Sequence, residues 1–142
     1  MRYILMIFLS LSMIISSCDK REEVIPSNPD YIIGQWKLEK ITVYNIEQDI
    51  TDCHKTSRMT FSSNHDAHAR YYTVYQTTGN CVLHLEYSGT WEYKDGEFIF
   101  KVDSQANTSA TNKVLNFLDT EHFYVEETYN GITGKFYFEK ID

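Results

Sequence analysis

The chain lacks proline beyond Pro29 and lacks any stretch with a sustained helical repeat of apolar residues. Without a 3.6-residue apolar period from Tyr31 onward, a helical domain is excluded. Basic residues are also scarce, since 13 Lys and Arg stand against 20 Asp and Glu, for a net charge of −7. A phosphate-binding face needs clustered Lys and Arg, so this balance argues against nucleic acid as a partner.

The motifs that carry common catalytic chemistry are missing as well. There is no nucleophile elbow, phosphate loop or paired acid motif in the strand and helix context that such chemistry requires. Glu126 and Glu127 are neighbours in a predicted strand, so they point to opposite faces and cannot form an acid/base pair. We therefore expect a non-enzyme without catalytic residues, cofactor or metal.

The long apolar run, residues 3–15, is shorter than the roughly 20 residues that a spanning helix needs. It follows Arg2 and ends in two serines, which predicts an export signal over residues 1–17. The stretch Ile15-Ser16-Ser17-Cys18 resembles the lipobox of bacterial lipoproteins. That resemblance implies cleavage before Cys18 and lipid on Cys18, which would anchor the protein to a membrane. An ordinary secretory signal with an incidental cysteine is the alternative.

Residues 18–30 combine the lipidated cysteine with charges and two prolines, which predicts a flexible tether. The charged cluster after Cys18 resembles the signals that send lipoproteins of Bacteroidota to the cell surface. We expect an outer-membrane lipoprotein of the cell envelope, with periplasmic and surface orientations both open. The remainder, residues 31–142, has the length of one domain, which we expect to be monomeric.

Beyond Tyr31, short runs rich in Tyr, Phe, Val, Ile and Thr alternate with turn signals, which predicts an all-β domain. The apolar residues of the first strand change from even positions (Trp36, Leu38) to odd positions (Ile41, Val43), which predicts a bulge near Lys40. Gly89 predicts a bend in the fourth strand. Because the connections are short and contain no helical crossover, we expect an eight-stranded antiparallel up-and-down barrel. Its strands are expected at residues 34–43, 56–62, 69–76, 81–93, 98–102, 113–118, 121–129 and 134–141.

Several motifs occur in an order that resembles the lipocalin-like lipoproteins of Bacteroidota. They are Gly34-Gln35-Trp36, a first cysteine at Cys53, a second at Cys81, and Gly89-Thr90-Trp91. The resemblance implies a small calycin-type barrel with one open end and a ligand cup. It also implies that Gly34 and Trp36 have a structural role at the narrow end, the barrel floor. Binding of a small hydrophobic molecule follows only by fold analogy.

Cys53 and Cys81 remain once Cys18 is assigned to the lipid. An even pair in an exported domain predicts a disulfide, which closes a loop of about 29 residues and contributes about 3–4 kcal/mol. Two free thiols are one alternative. The other is a metal site that also uses His54 and His84, which would require four ligands in a tetrahedral array.

The aromatic residues are the remaining candidates for a binding role. Tyrosine has an apolar body and a polar tip, so it suits a partly hydrated cup or an interaction surface. Candidates for a ligand cup or an interaction surface are Tyr71, Tyr75, Tyr87, Trp91 and Tyr93; strand packing alone is the competing explanation. Our leading hypothesis is a small apolar or amphipathic ligand in the cup. A filled barrel acting as a scaffold for protein or glycan partners, with the polar loop at residues 103–112, is the second, and a protease inhibitor is a weaker third.

Overall fold

Eight antiparallel strands close into a barrel in the computed structural model, which describes residues 28–103, 111–129 and 131–142. The predicted signal, Cys18, nearly all of the tether and residues 104–110 of the polar loop lie outside the described residues. Within the described ranges, no helix has the length and apolar character needed to cross a bilayer.

Each barrel strand pairs with the next in the chain, and the last strand pairs with the first, so the predicted up-and-down topology is confirmed. A ninth segment, β2, pairs only with the end of β1 and extends it as a short hairpin. The elements are a first 3₁₀ helix (Pro29–Ile32), β1 (Gly34–Val43), β2 (Ile46–Glu47), a second 3₁₀ helix (His54–Thr56), β3 (Arg58–Phe61), β4 (Asp66–Val74), β5 (Cys81–Lys94), β6 (Glu97–Val102), β7 (Lys113–Phe117), β8 (His122–Tyr129) and β9 (Ile132–Lys140).

The predicted bulge in β1 is present, because the register against β9 shifts between Leu38 and Lys40. This shift returns Ile41 to the inward face, where it packs against the core. Gly89 lies inside the continuous β5, where an added Cβ would be 1.9 Å from the carbonyl oxygen of Lys101. Close approach of β6 to β5 therefore requires glycine at this position.

Three local predictions are wrong. The extra hairpin was missed because Tyr44 and Asn45 both adopt positive φ, 53° and 62°, as a two-residue hairpin turn requires. The second predicted strand is shorter, because residues 54–56 form a 3₁₀ helix in which the Thr56 hydroxyl donates to the Cys53 carbonyl at 2.6 Å. The third starts earlier, at Asp66, because a tight turn with His65 at φ 69° leads directly into pairing.

Large side chains fill the barrel from its closed end to its middle. Phe123 stacks on Phe138 with ring centroids 5.3 Å apart, and Trp36 meets the edge of Phe123 at 4.8 Å. Core residues that solvent does not reach include Ile32, Trp36, Leu38, Met59, Phe61, Phe100, Phe123, Val125 and Phe138. Because these large apolar side chains are buried, the barrel between its closed end and its middle is a packed core. Their burial supplies most of the driving force for folding.

The first 3₁₀ helix closes one end of the barrel. The Trp36 indole donates to the carbonyl oxygen of Ile32 at 2.8 Å, and the Lys140 ammonium donates to the carbonyl oxygen of Tyr31 at 2.8 Å. The same ammonium lies 5.5 Å from the Trp36 ring centroid, within cation–π range. Gly34 adopts φ +135° and leaves room for Asp142, whose carbonyl oxygen would lie 2.0 Å from a Cβ at this position.

Candidate functional site

Two charged side chains face the interior of the barrel above the aromatic core. Lys113 begins β7 and shares the inward parity of Leu115, while Glu127 shares that of Val125 on β8. The Lys113 Nζ donates to Glu127 Oε2 at 2.6 Å. Only 10% of the Lys113 side chain and 14% of the Glu127 side chain are exposed, so the pair is largely shielded from bulk water.

Two tyrosines complete a polar layer with this ion pair. The Tyr71 hydroxyl donates to Glu127 Oε1 at 3.3 Å, and the Lys113 ammonium lies 5.4 Å from the centroid of the Tyr87 ring. Because β4 and β8 are four strands apart in a ring of eight, the Tyr71–Glu127 bond crosses the lumen. The four side chains therefore form a floor across the barrel, which we call the polar layer.

The environment of the polar layer keeps both tyrosines in the neutral form. Burial raises the pKa of Tyr87 to about 12, and the Glu127 carboxylate adds to the rise. Burial also raises the pKa of Tyr71 well above its usual value, with further contributions from the negative charge of Glu127 and from Tyr87. Both hydroxyls are therefore hydrogen-bond donors throughout the physiological range.

Apolar side chains surround the polar layer. Tyr71 packs against Phe136, with ring centroids 5.8 Å apart. Ile41, Leu85 and Val102 are partly buried around the core. On β1, β4 and β9, the positions that follow on the inward face towards the open end are Val43, Thr73 and Gly134. The polar layer thus lies between the aromatic core and the open end of the barrel.

The five aromatic candidates do not form one site. Tyr71 and Tyr87 belong to the polar layer, with ring centroids 6.2 Å apart. Trp91 is 3% exposed and lies towards the closed end, where its indole donates to the carbonyl oxygen of Ser62 at 2.8 Å. Tyr75 follows β4 at the open end and is 54% exposed, and Tyr93 flanks the β5–β6 hairpin and is 44% exposed.

Sequence reasoning missed Lys113 and Glu127, although it placed Glu126 and Glu127 on opposite faces of their strand. In the structure Glu126 is exposed and Glu127 points inward. The sequence pattern could have revealed them, because Lys113 lies two residues from Leu115 and Glu127 two residues from Val125, on the same face of each strand. A charged residue on an otherwise apolar strand face indicates a partner of opposite charge, since an unpaired buried charge is costly.

A disulfide joins Cys53 to Cys81 with an S–S distance of 2.06 Å, as the sequence predicted. It ties the segment before the second 3₁₀ helix to the first residue of β5 at the open end. The alternative metal site would need His54, whose Nδ1 lies 2.9 Å from the Thr51 hydroxyl and whose Nε2 lies 3.4 Å from that of Thr73. Among the described residues, no group of three His, Cys, Asp or Glu side chains could hold a metal ion.

The closed antiparallel meander and its plugged end define a lipocalin-like barrel. The family model described as "Lipocalin-like domain" matches residues 32–121, so the chain belongs to this family. A search of curated proteins gives no match. Among solved structures, a de novo designed fluorescence-activating β-barrel is 13% identical, with a TM-score of 0.47 over 79% of this chain and 95% of the designed chain. This distant likeness carries no argument about function.

Proposed function

We propose that the open end of the barrel, above the polar layer, is a cup that binds a small amphipathic molecule. The polar layer is the observation that carries this proposal. A barrel that only served as a packed scaffold would be more stable with apolar residues at these positions, because burying a charge pair costs desolvation energy. A ligand with a polar end and an apolar body complements a polar floor surrounded by Ile41, Val102 and Phe136.

The proposal also places the protein on a membrane through lipid on Cys18, in the outer membrane of the cell envelope. The lipobox pattern supports the anchor. The position of the described N-terminus supports an orientation, because Asn28 leads directly into the 3₁₀ helix that plugs the closed end. A tether that leaves from the closed end would direct the cup away from the bilayer, so that ligands in the surrounding solution could enter it. We propose that the protein acts there as a monomeric, non-enzymatic binding protein.

Native mass spectrometry of residues 18–142 carrying Cys18→Ser, without the predicted export signal, tests the binding function. This substitution removes the proposed acylation site and leaves every described residue unchanged. We expect a retained small molecule that dissociates on denaturation, and competition with an environment-sensitive fluorescent probe. Absence of both a retained molecule and probe binding in the folded protein would contradict the cup proposal.

A second candidate function rests on the outer surface of β8 and β9. The rings of Tyr124 and Tyr137 lie 5.4 Å apart. Lys135 lies 4.8 Å from the Tyr124 centroid, and Lys40 lies 4.6 Å from that of Tyr137. Such an aromatic and cationic face suits a glycan or protein partner, as in the scaffold hypothesis. Chemical-shift mapping with neutral oligosaccharides would support it if Tyr124 and Tyr137 respond and the polar layer does not.

A further inference from the structure

The charges of the polar layer are balanced. Lys113 contributes one positive charge and Glu127 one negative charge, and the titratable side chains that contact them among the described residues, Tyr71 and Tyr87, are neutral. The floor of the cup therefore has no net charge to offer a charged ligand. A ligand ion would have to separate the 2.6 Å ion pair or carry its own uncompensated charge into the barrel, and both are costly.

The polar layer nevertheless has unused hydrogen-bonding capacity. Lys113 has three N–H donors, of which one is directed at Glu127. The Glu127 carboxylate accepts from Lys113 and Tyr71, which leaves lone pairs free. Within the described part of the chain, the Tyr87 hydroxyl has no hydrogen-bond partner, although its ring contacts Lys113. Donors and acceptors thus stand side by side at the floor of the cup.

From this balance we infer that the polar end of the ligand is uncharged and both donates and accepts hydrogen bonds, as an alcohol or a primary amide does. The inference rests on the proposed ligand-binding function and specifies its substrate class. A hydroxyl can accept from Lys113 or Tyr87 and donate to Glu127 without disturbing the ion pair. A carboxylate is attracted by Lys113 and repelled by Glu127, and an ammonium experiences the reverse, so neither ion gains a net attraction that offsets the loss of its hydration. The ion pair therefore selects against charged analogues of the same length and shape.

A matched series of probes tests this selectivity. Decanol, decanamide, decanoate and decylamine share an apolar chain and differ in the polar end. Each competes with a fluorescent probe for folded residues 18–142 carrying Cys18→Ser, at neutral pH and below the concentration at which it forms micelles. We expect the alcohol and the amide to bind at least about tenfold more tightly than the acid and the amine.

Substitution of either charge should change the preference in opposite directions. Glu127→Gln leaves Lys113 as an unpaired cation, so decanoate should become the tightest probe. Lys113→Met leaves Glu127 as an unpaired anion, so decylamine should take that place. Lys101→Met is the matched control, because Lys101 forms an equally short 2.6 Å ion pair with Glu92 but has a 46% exposed side chain. It should keep the wild-type order of affinities.

The outcomes separate the two levels of the proposal. If no probe binds the folded wild-type chain, the cup function itself fails. If probes bind but decanoate or decylamine matches the alcohol, the binding function stands and the inference about the uncharged end is wrong. The wild-type series decides this even if a charge variant does not fold, because it needs no substitution in the polar layer.

Discussion

Lys113 on β7 and Glu127 on β8 lie directly opposite each other when the register of the two strands is extended, although the paired residues of these strands end before this position. Its residue pairs in the described chain are Asn116 with Tyr124 and Phe117 with Phe123. Lys113 and Glu127 lie three positions further along each strand and are joined by their side chains at 2.6 Å. The ion pair therefore connects the two strands where backbone pairing has stopped, and it does so inside the barrel.

Breaking this ion pair from one side should be more harmful than removing it entirely. Lys113→Met leaves the Glu127 carboxylate buried without its cation, so we expect a loss of about 3 kcal/mol in the free energy of unfolding. The double variant Lys113→Met with Glu127→Gln removes both charges and keeps an acceptor for Tyr71, so it should recover most of that loss. Urea denaturation measures all three proteins. Equal stability of the single and double variants would show that the ion pair contributes nothing specific.

Loss of the disulfide should destabilise the barrel through the unfolded state. The bond spans a sequence separation of 28 residues, so replacing both Cys53 and Cys81 by alanine should cost about 3–4 kcal/mol. Denaturation curves with and without reductant give the comparison. Reductant should lower the midpoint of the wild-type protein and leave that of the alanine variant unchanged. A wild-type midpoint insensitive to reductant, with free thiols after treatment, would contradict the expected contribution.

Alanine substitutions at two glycines should distinguish the cost of steric crowding from the cost of an unfavourable backbone conformation. Gly89→Ala places a Cβ 1.9 Å from the carbonyl oxygen of Lys101, and we expect a loss of about 2–4 kcal/mol as β5 and β6 move apart. Gly79→Ala is the control, since its Cβ would meet nothing within 4 Å and only its φ of +73° is unfavourable. That variant should lose about 1 kcal/mol. Thermal or urea unfolding tests the order, which a greater loss at Gly79 would overturn.

Alkaline pH should destabilise the protein through its buried tyrosines. The pKa of Tyr87 rises from 10.0 when unfolded to about 12 when folded, so the folded state holds the phenolic proton more tightly. The resulting stability is fully present below pH 10 and is lost as the pH rises through 12. Tyr87→Phe removes one ionisable group, so its unfolding free energy should fall less steeply over this interval. Parallel pH profiles for the two proteins would contradict the assignment.

Much of the barrel follows from local sequence signals. The alternation of apolar and polar residues predicts the eight barrel strands, and the parity change after Leu38 predicts the bulge that returns Ile41 to the core. Cys53 and Cys81 could be paired because the predicted export signal and the predicted lipid on Cys18 leave two cysteines for one bond. These inferences succeed because strand periodicity and cysteine number are properties of short stretches of chain.

The details that failed depend on backbone conformations that composition signals poorly. A positive φ at Tyr44 is uncommon for a bulky residue, so the hairpin of β2 has no clear sequence mark. The segment before β3 becomes a 3₁₀ helix because Thr56 and Ser57 donate to the carbonyl oxygens of Cys53 and His54, and these local hydrogen bonds compete with strand pairing. The exact ends of a strand therefore depend on whether each backbone N–H and C=O group pairs with the next strand or with a nearby residue.

The class of fold, the barrel topology and the disulfide could be predicted from local patterns, because they follow from alternation, connection length and cysteine count. The contents of the lumen depend on contacts between residues that are far apart in the chain. Tyr71 is 56 residues from Glu127 in sequence, and nothing local to either residue shows that they meet. Closure of β9 on β1 brings β4 opposite β8, and that geometry turns a lysine, a glutamate and two tyrosines into one balanced polar layer.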